Sequence, residues 1–585
     1  MKDKIKLIVL AMIVIILLFS GCSDSDPVRG DENYNLSGQV KTKTGQGISD
    51  VILKLKGEHG SSKIKTDETG KWRKNNLQGQ VKINVIKDGY DFVPKEKIVQ
   101  ESQTNVDFIK KEKSSSIQLY KMAAKIDPVQ VKINGRLLDF PTGQTPLIKN
   151  SRTILPMSFI YQQLGFEVDW DAKVRKVTAQ RGDEKIELWI GKKRAVVNGE
   201  EVELDVAPTI INARTYIPIY VAQKTKSLEV NWDGNTRTVQ LHDWSQLDYG
   251  LYWHSRDGQQ QKFVKGQENQ YFDPDQPTVI FVHGWARGST TDKSLVTFNY
   301  QQNDPKYGPD VNVARSWLES GWNVGSFNWK QFSDEHVVNH AEAKIWSIDG
   351  PQGMRWRSFD GSYHQGPKKS AARLFYEEYK KCLADYSGDK IRIVGHSLGN
   401  QMAVRLTQLI VDNIQRGKIT SRLKPNRVAL LDPYWSVGEK DYLDGDWVGE
   451  RVRNSVRQAI DYHGILFEQY KSTPLADLGG DINSGLEDMT AFIRLKPWYI
   501  SAEDVSQKHT MALMWYFWSY GTAPPPEVKI EGVNKDREVT GRVAASASTS
   551  NQRMMEMMGN EFEWDQVEGR YTPTPEDDEF EVKEK

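Results

Sequence analysis

An apolar run, Ile391-Arg392-Ile393-Val394, passes directly into Gly395-His396-Ser397-Leu398-Gly399 and then into a helical stretch over residues 401–414. This order constrains the chain more than any other feature. A serine set between glycines at a strand-to-helix junction is the pattern of a sharp elbow. The glycines admit close backbone approach and the serine hydroxyl stands clear of the sheet. The surrounding sequence agrees. Short apolar runs at residues 279–282, 322–327, 391–394, 428–431 and 491–495 alternate with helical stretches, which predicts a mostly parallel sheet covered on both faces. An α/β domain is expected over residues 248–525.

An exposed serine is a weak nucleophile until a base takes its proton. On such a sheet the base comes last, in the chain order Ser, Asp or Glu, His. Only His463 and His509 follow Ser397. His463 falls in a helical-looking stretch, residues 452–466. His509, in Ser506-Gln507-Lys508-His509-Thr510, falls where a loop should return to the carboxyl edge of the sheet before a helix over 511–520, so His509 is the preferred base. The acid must be held rigidly to orient the imidazole. Asp432 ends the run 427–431 and is stopped by Pro433. Asp461, Asp477, Asp481 and Asp488 remain competitors. Developing negative charge on a substrate oxygen calls for backbone N–H donors. Those of Trp285, in His283-Gly284-Trp285, and of Leu398 are placed to supply it. His283 and His396 precede the serine and read as hydrogen-bonded supports. Two insertions, residues 334–365 and 434–490, carry aromatics. Trp346, Trp356, Phe359 and Tyr363 there could line an acyl pocket or fill a core.

Phe281-Val282-His283-Gly284-Trp285, residues 394–399, Leu430-Leu431-Asp432-Pro433 and His509 together resemble the pancreatic-lipase-like branch of the α/β-hydrolases. The resemblance implies a triad acid after the strand that follows the nucleophile helix, which fits Asp432. It also implies ester hydrolysis through an acyl-enzyme with no cofactor and no metal. The chain lacks the disulfide-bounded lid of the animal enzymes.

With 585 residues, more than one core is required. At the N-terminus Lys2, Lys4 and Lys6 precede an apolar run over residues 7–19, shorter than the ~20 residues that cross ~30 Å of hydrocarbon, so a cleaved signal is expected. Phe19-Ser20-Gly21-Cys22 resembles a bacterial lipobox. That resemblance implies a signal peptide over 1–22, acylation of Cys22 and an extracellular, lipid-anchored protein.

Residues 31–112 alternate apolar and polar positions between turn signals, as in a small β-sandwich. Ser37-Gly38-Gln39-Val40, residues 66–72 and Lys87-Asp88-Gly89-Tyr90 resemble the carboxypeptidase regulatory-like sandwich. Residues 127–243 hold an internal repeat. PLIKNSRTILPM from Pro146 recurs as PTIINARTYIPI from Pro208, and Glu167-Val168-Asp169-Trp170-Asp171 as Glu229-Val230-Asn231-Trp232-Asp233, both at an offset of 62. Asn134-Gly135 and Asn198-Gly199 predict matching hairpins. This pair of units resembles the N-terminal domain of copper amine oxidases, common in extracellular proteins of Gram-positive bacteria. No histidine cluster accompanies it, and Trp170 and Trp232 are expected in its core. Residues 526–585 are polar with an acidic end, and are expected to be a disordered tail.

Lys plus Arg and Asp plus Glu balance at 78 each, which gives no field for nucleic acid. The expected partners are an ester or lipid substrate, a membrane reached through Cys22, and cell-wall polymer met by the β-rich modules. Two alternatives remain: a surface-binding lipoprotein whose hydrolase-like domain does no chemistry, or a peptidase, thioesterase or acyltransferase on the same scaffold.

Overall fold

The computed structural model describes the chain apart from residues 1–32, 43–44, 58–59, 88–89, 91, 95, 111–127, 235, 301–305, 474–482, 532–535 and 560. Cys22, Asp477 and Asp481 lie outside the described residues. Among the described residues no helix is long and apolar enough to cross a membrane. The chain forms two units, Met1–Ile126 and Asp127–Lys585.

The first unit is a sandwich of two four-stranded sheets. Alternation drives it: Leu36, Val40, Leu53, Leu55, Ile83 and Phe108 point inward and are buried.

The second unit opens with the repeated module. Asn134 and Gly135, and Asn198 and Gly199, all have positive φ, as the predicted tight hairpins require. Asn150-Ser151 and Asn212-Ala213 make a further matched pair of such turns. Strands Arg152–Pro156 and Arg214–Pro218 pair antiparallel with Leu155 opposite Ile217, its own counterpart in the repeat, so the copies meet about a local two-fold. Trp170 and Trp232 are not core residues. They are 46% and 41% exposed, because each sits on the edge strand of its sheet and has a neighbouring strand on one side only.

The rest of the second unit is built on one twelve-stranded sheet. Its strands are β1 (Gly250–His254), β2 (Gln260–Lys262), β3 (Thr278–Val282), β4 (Asn323–Asn328), β5 (Ile391–His396), β6 (Arg427–Leu431), β7 (Leu466–Lys471), β8 (Ala491–Arg494), β9 (Pro526–Glu531), β10 (Asp536–Val543), β11 (Phe562–Glu568) and β12 (Glu579–Glu584). Across the sheet they lie in the order 2-1-4-3-5-6-7-8-11-12-9-10. From β4 to β11 all pairings are parallel. Helices α1 (Val338–Trp346), α2 (Ala371–Cys382), α3 (Gly399–Gln415) and α4 (Val448–His463) bury Phe375, Leu406, Ile410 and Val456 on one face. Helices α5 (Val505–Trp518) and α6 (Asn551–Met557) bury Met511, Trp515, Phe517 and Met554 on the other.

This is a multidomain chain whose α/β part carries one largely parallel sheet, but two expectations need correction. Strand β7 lies within residues 434–490, which the sequence presents as an insertion because Glu468, Gln469 and Lys471 interrupt the apolar residues. All six of its residues are nevertheless buried. The disordered tail expected over 526–585 is instead four strands and a helix continuing the sheet, so the α/β domain runs to the C-terminus. Glu527-Val528-Lys529-Ile530-Glu531 and Phe580-Glu581-Val582 carry the period-two pattern of half-buried strands, which the overall polarity of the segment conceals. Its charges are paired: Arg553 and the Trp564 indole both donate to Glu527 at 2.6 Å.

The module is joined to the sheet through buried polar contacts. Asp248 accepts from Lys262 Nζ at 2.5 Å, from Asn328 at 3.2 Å and from the Tyr252 hydroxyl, which also reaches Asn134 O at 3.1 Å. A Cβ on Gly135 would stand 2.6 Å from the Tyr252 ring, so the hairpin tip fits only as glycine.

Candidate active site

β5 ends at His396 and α3 begins at Gly399, and the turn between them holds Ser397 at φ 57°. A non-glycine residue there is strained and persists only where its surroundings hold it. Ser397 N–H donates to Leu431 O at 3.1 Å. The fully buried Asn400 donates to Ser397 O at 2.8 Å and Leu431 O at 2.9 Å, and accepts from Leu431 N–H at 2.8 Å. Asn400 thus ties the elbow to β6. The elbow glycines are there for space: a Cβ on Gly395 would lie 2.7 Å from Asn400 Cα, and one on Gly399 2.9 Å from His283 O. Gly284 is under the same constraint, since its Cβ would lie 2.5 Å from Ser397 Cβ and 2.9 Å from Leu398 N. The loop after β3 therefore passes directly against the serine.

Asp432 follows β6 with φ 40°, its N–H bonded to Tyr470 O at 2.7 Å. Its Oδ2 accepts from His509 Nδ1 at 2.5 Å and from the Thr473 hydroxyl at 2.6 Å. Its Oδ1 accepts from the N–H groups of Ser472 at 3.0 Å and Thr473 at 3.3 Å. Burial alone would raise the Asp432 pKa, but the charge of His509 and these donors outweigh it and hold the carboxyl below its ordinary value. Asp432 and His509 are thus brought together beside the elbow, where Ser397 N–H bonds the residue before Asp432 and His396 bonds His509 O. His509 is not in a loop, as the sequence suggested. It lies in the second turn of α5, whose first turn, Val505-Ser506-Gln507-Lys508, is too polar to read as a helix start.

The two earlier histidines are held neutral. Burial pushes both His283 and His396 down to about 3. His283 donates through Nδ1 to Gly284 O at 3.0 Å and accepts at Nε2 from Trp329 N–H at 3.3 Å. His396 donates to His509 O at 2.9 Å, its ring 4.5 Å from that of His509. His463 ends α4 and bonds Gln415 at 3.1 Å, at the opposite end of α3 from the elbow.

The loop carrying Trp285 is anchored by residues the sequence did not single out. Asp334, fully buried, accepts from the N–H groups of Gly288 at 2.8 Å and Thr290 at 3.0 Å and from Arg357 at 3.0 Å. The Trp285 indole donates to Glu335 O at 2.7 Å. The Glu335 carboxylate is itself fixed by Lys344 at 2.6 Å and by two bonds from Arg355, at 2.8 and 2.6 Å. Among the described residues neither the Trp285 nor the Leu398 backbone N–H meets a protein acceptor. For Trp346 and Trp356 the open question is decided in favour of core packing, since both are buried. The Trp346 indole donates to Gln401 at 2.8 Å, and Gln401 in turn donates to Glu342 at 2.7 Å and Tyr434 O at 2.8 Å, joining both insertions to α3.

Residues 132–241 match the family model described as the copper amine oxidase N-terminal domain. No curated protein matches the chain by sequence. Among solved structures, a streptococcal ancillary pilin aligns at 12% identity over 36% of this chain and 62% of its own, with a TM-score of 0.14. The thioesterase domain from the curacin biosynthetic pathway aligns at 11% identity over 40% and 52%, with a TM-score of 0.16. A hyperthermophilic esterase from the archaeon Pyrobaculum calidifontis aligns at 15% identity over 28% and 37%, with a TM-score of 0.14. The chain thus spans less than two thirds of each of these structures, and likenesses this low carry no argument about activity. The family similarity is confined to residues 132–241, and the α/β domain beyond them is read from its own strand order and elbow.

Proposed function

We propose that this chain is an extracellular serine ester hydrolase, a lipase or carboxylesterase, anchored to the bacterial membrane through an acylated Cys22. In this reading Ser397 Oγ attacks an acyl carbonyl while His509 takes its proton. Asp432 fixes the imidazole with Nδ1 protonated and stabilises the cation that forms. The N–H groups of Trp285 and Leu398 receive the oxyanion. His509 then protonates the leaving alcohol, and water releases the acid from the acyl-enzyme by the same route. The observation that carries the reading is the 2.5 Å hydrogen bond from His509 to Asp432, beside a serine held in a left-handed elbow.

The test is labelling of the full chain with a fluorescent fluorophosphonate, compared with Ser397→Ala and His509→Ala. Labelling of the native chain that both variants lose supports the reading, and p-nitrophenyl esters of rising chain length then separate esterase from lipase. A folded native chain that takes no label removes it.

A further inference from the structure

The solvent face of the first unit holds a groove of about 670 Å³, within the ~300–1,000 Å³ usual for ligand sites. Strand register assembles it. In Tyr34–Lys41 the side chains of Ser37, Gln39 and Lys41 alternate outward, and antiparallel pairing with Lys71–Leu77 sets Arg73 opposite Ser37 and Lys71 opposite Gln39. Residues far apart in the chain thereby share one face, with Lys65 at its margin.

The two carboxylates of the lining are already engaged. Asp107 accepts from Lys41 Nζ at 2.6 Å and Gln39 N–H at 2.8 Å. Asp67 accepts from the N–H groups of Thr69 at 2.8 Å and Lys71 at 2.9 Å and from the Thr69 hydroxyl at 2.8 Å. Among the described residues the Arg73 side chain bonds the Asn75 side chain, at 2.9 Å, and neither Lys71 nor Arg73 belongs to an ion pair. Residues 33–110 hold fourteen lysines and arginines against nine aspartates and glutamates, in a chain that is neutral as a whole. Lys65 meets only the exposed Asp50, at 3.8 Å, so positive charge is gathered in this domain and exceeds negative charge in its groove, where Lys41, Lys65, Lys71 and Arg73 stand against Asp67 and Asp107.

We propose that the groove binds an extended, soluble polyanion bearing repeated phosphate groups. The planar guanidinium of Arg73 matches a phosphate in two-point fashion, Lys71 and Lys65 meet neighbouring charges, and the Ser37 hydroxyl supplies a neutral donor. Concavity favours a polymer strand over a bilayer, because a flat headgroup surface spans the rim and does not reach the floor. The proposal is independent of the esterase reading.

The full chain is titrated with inorganic polyphosphate alongside Lys71→Glu/Arg73→Glu. A control, Lys54→Glu/Lys56→Glu, makes the same charge change on the exposed face of the other sheet. Circular dichroism and melting verify that each variant is folded. The expected result is saturable, salt-sensitive binding that weakens about tenfold or more in the groove variant and no more than about twofold in the control. No saturable binding, an equal loss in both variants, or binding to phosphatidylglycerol vesicles but not to polyphosphate would each overturn the proposal.

Discussion

Ser397 and Asp432 both occupy the left-handed region, at φ 57° and 40°, and each is held there by its neighbours rather than by its own preference. Strain of this kind costs of order 1–3 kcal/mol per residue and is retained where geometry matters more than stability. If Asp432 orients His509, Asp432→Asn keeps the shape but favours the wrong imidazole tautomer. Its kcat should fall by about 10⁴ with little change in KM, measured by steady-state ester hydrolysis. Gly284→Ala tests the packing of the loop against the serine. The added methyl would displace either Ser397 or the amide of Leu398, so fluorophosphonate labelling should slow by about a hundredfold or more at a temperature where the variant, destabilised by about 1–3 kcal/mol, is still folded. Labelling at the native rate would show that the loop moves aside freely.

At the scale of elements, β7 is held in place by charge. Glu468 on β7 receives two bonds from Arg427 on β6, one of them at 2.6 Å from Nε, one from Tyr470 at 2.6 Å and one from Tyr516 on α5 at 2.8 Å. Arg427 and Glu468 are both buried, so removing one charge strands the other. Glu468→Gln should cost about 3–5 kcal/mol, read as a lowered urea midpoint. The consequence should reach the site, because β7 continues into Ser472 and Thr473, which bind Asp432, and Tyr516 shares α5 with His509. β7 thus runs out into two donors to Asp432, the N–H of Ser472 and the hydroxyl of Thr473.

For the whole molecule, the C-terminal strands and the repeated module are parts of the α/β unit rather than appendages. Arg392 donates to Ala547 O at 2.6 Å, and Arg427 donates to Thr549 O at 2.7 Å and Ser546 O at 2.6 Å, so the C-terminal segment closes the sheet opposite the candidate site. A fragment of residues 245–525 would expose the β8 edge and remove the carbonyls of Ser546, Ala547 and Thr549 that accept from Arg392 and Arg427. It should be insoluble or aggregated, as size-exclusion chromatography would reveal, where the full chain is not. The unit should also weaken in acid. Burial lowers His254 and His283 to about 3 and His242 to about 4, so below the unfolded value near 6.5 the unfolded chain binds protons that the folded chain refuses. Stability from these groups is complete above about pH 6.5 and is lost as pH falls toward 3, by about 2 kcal/mol for His254 at pH 5. A urea midpoint followed by tryptophan fluorescence should therefore drop between pH 7 and pH 5, and His254→Gln should flatten that drop. The sequence by itself determined the elbow at Ser397, the two-copy module with its hairpins, the parallel strands and the short list holding Asp432 and His509, because these rest on local periodicity and on glycines that local geometry requires. Only the tertiary structure decided that β7 is a strand, that the polar C-terminus completes the sheet, that His509 is on a helix, and that Asn400, Asp334 and Thr473 hold the site. These outcomes rest on polar residues buried against partners distant in the chain, and such pairing is concealed by the polarity of the segments even where, as at the C-terminus, a period-two pattern is present.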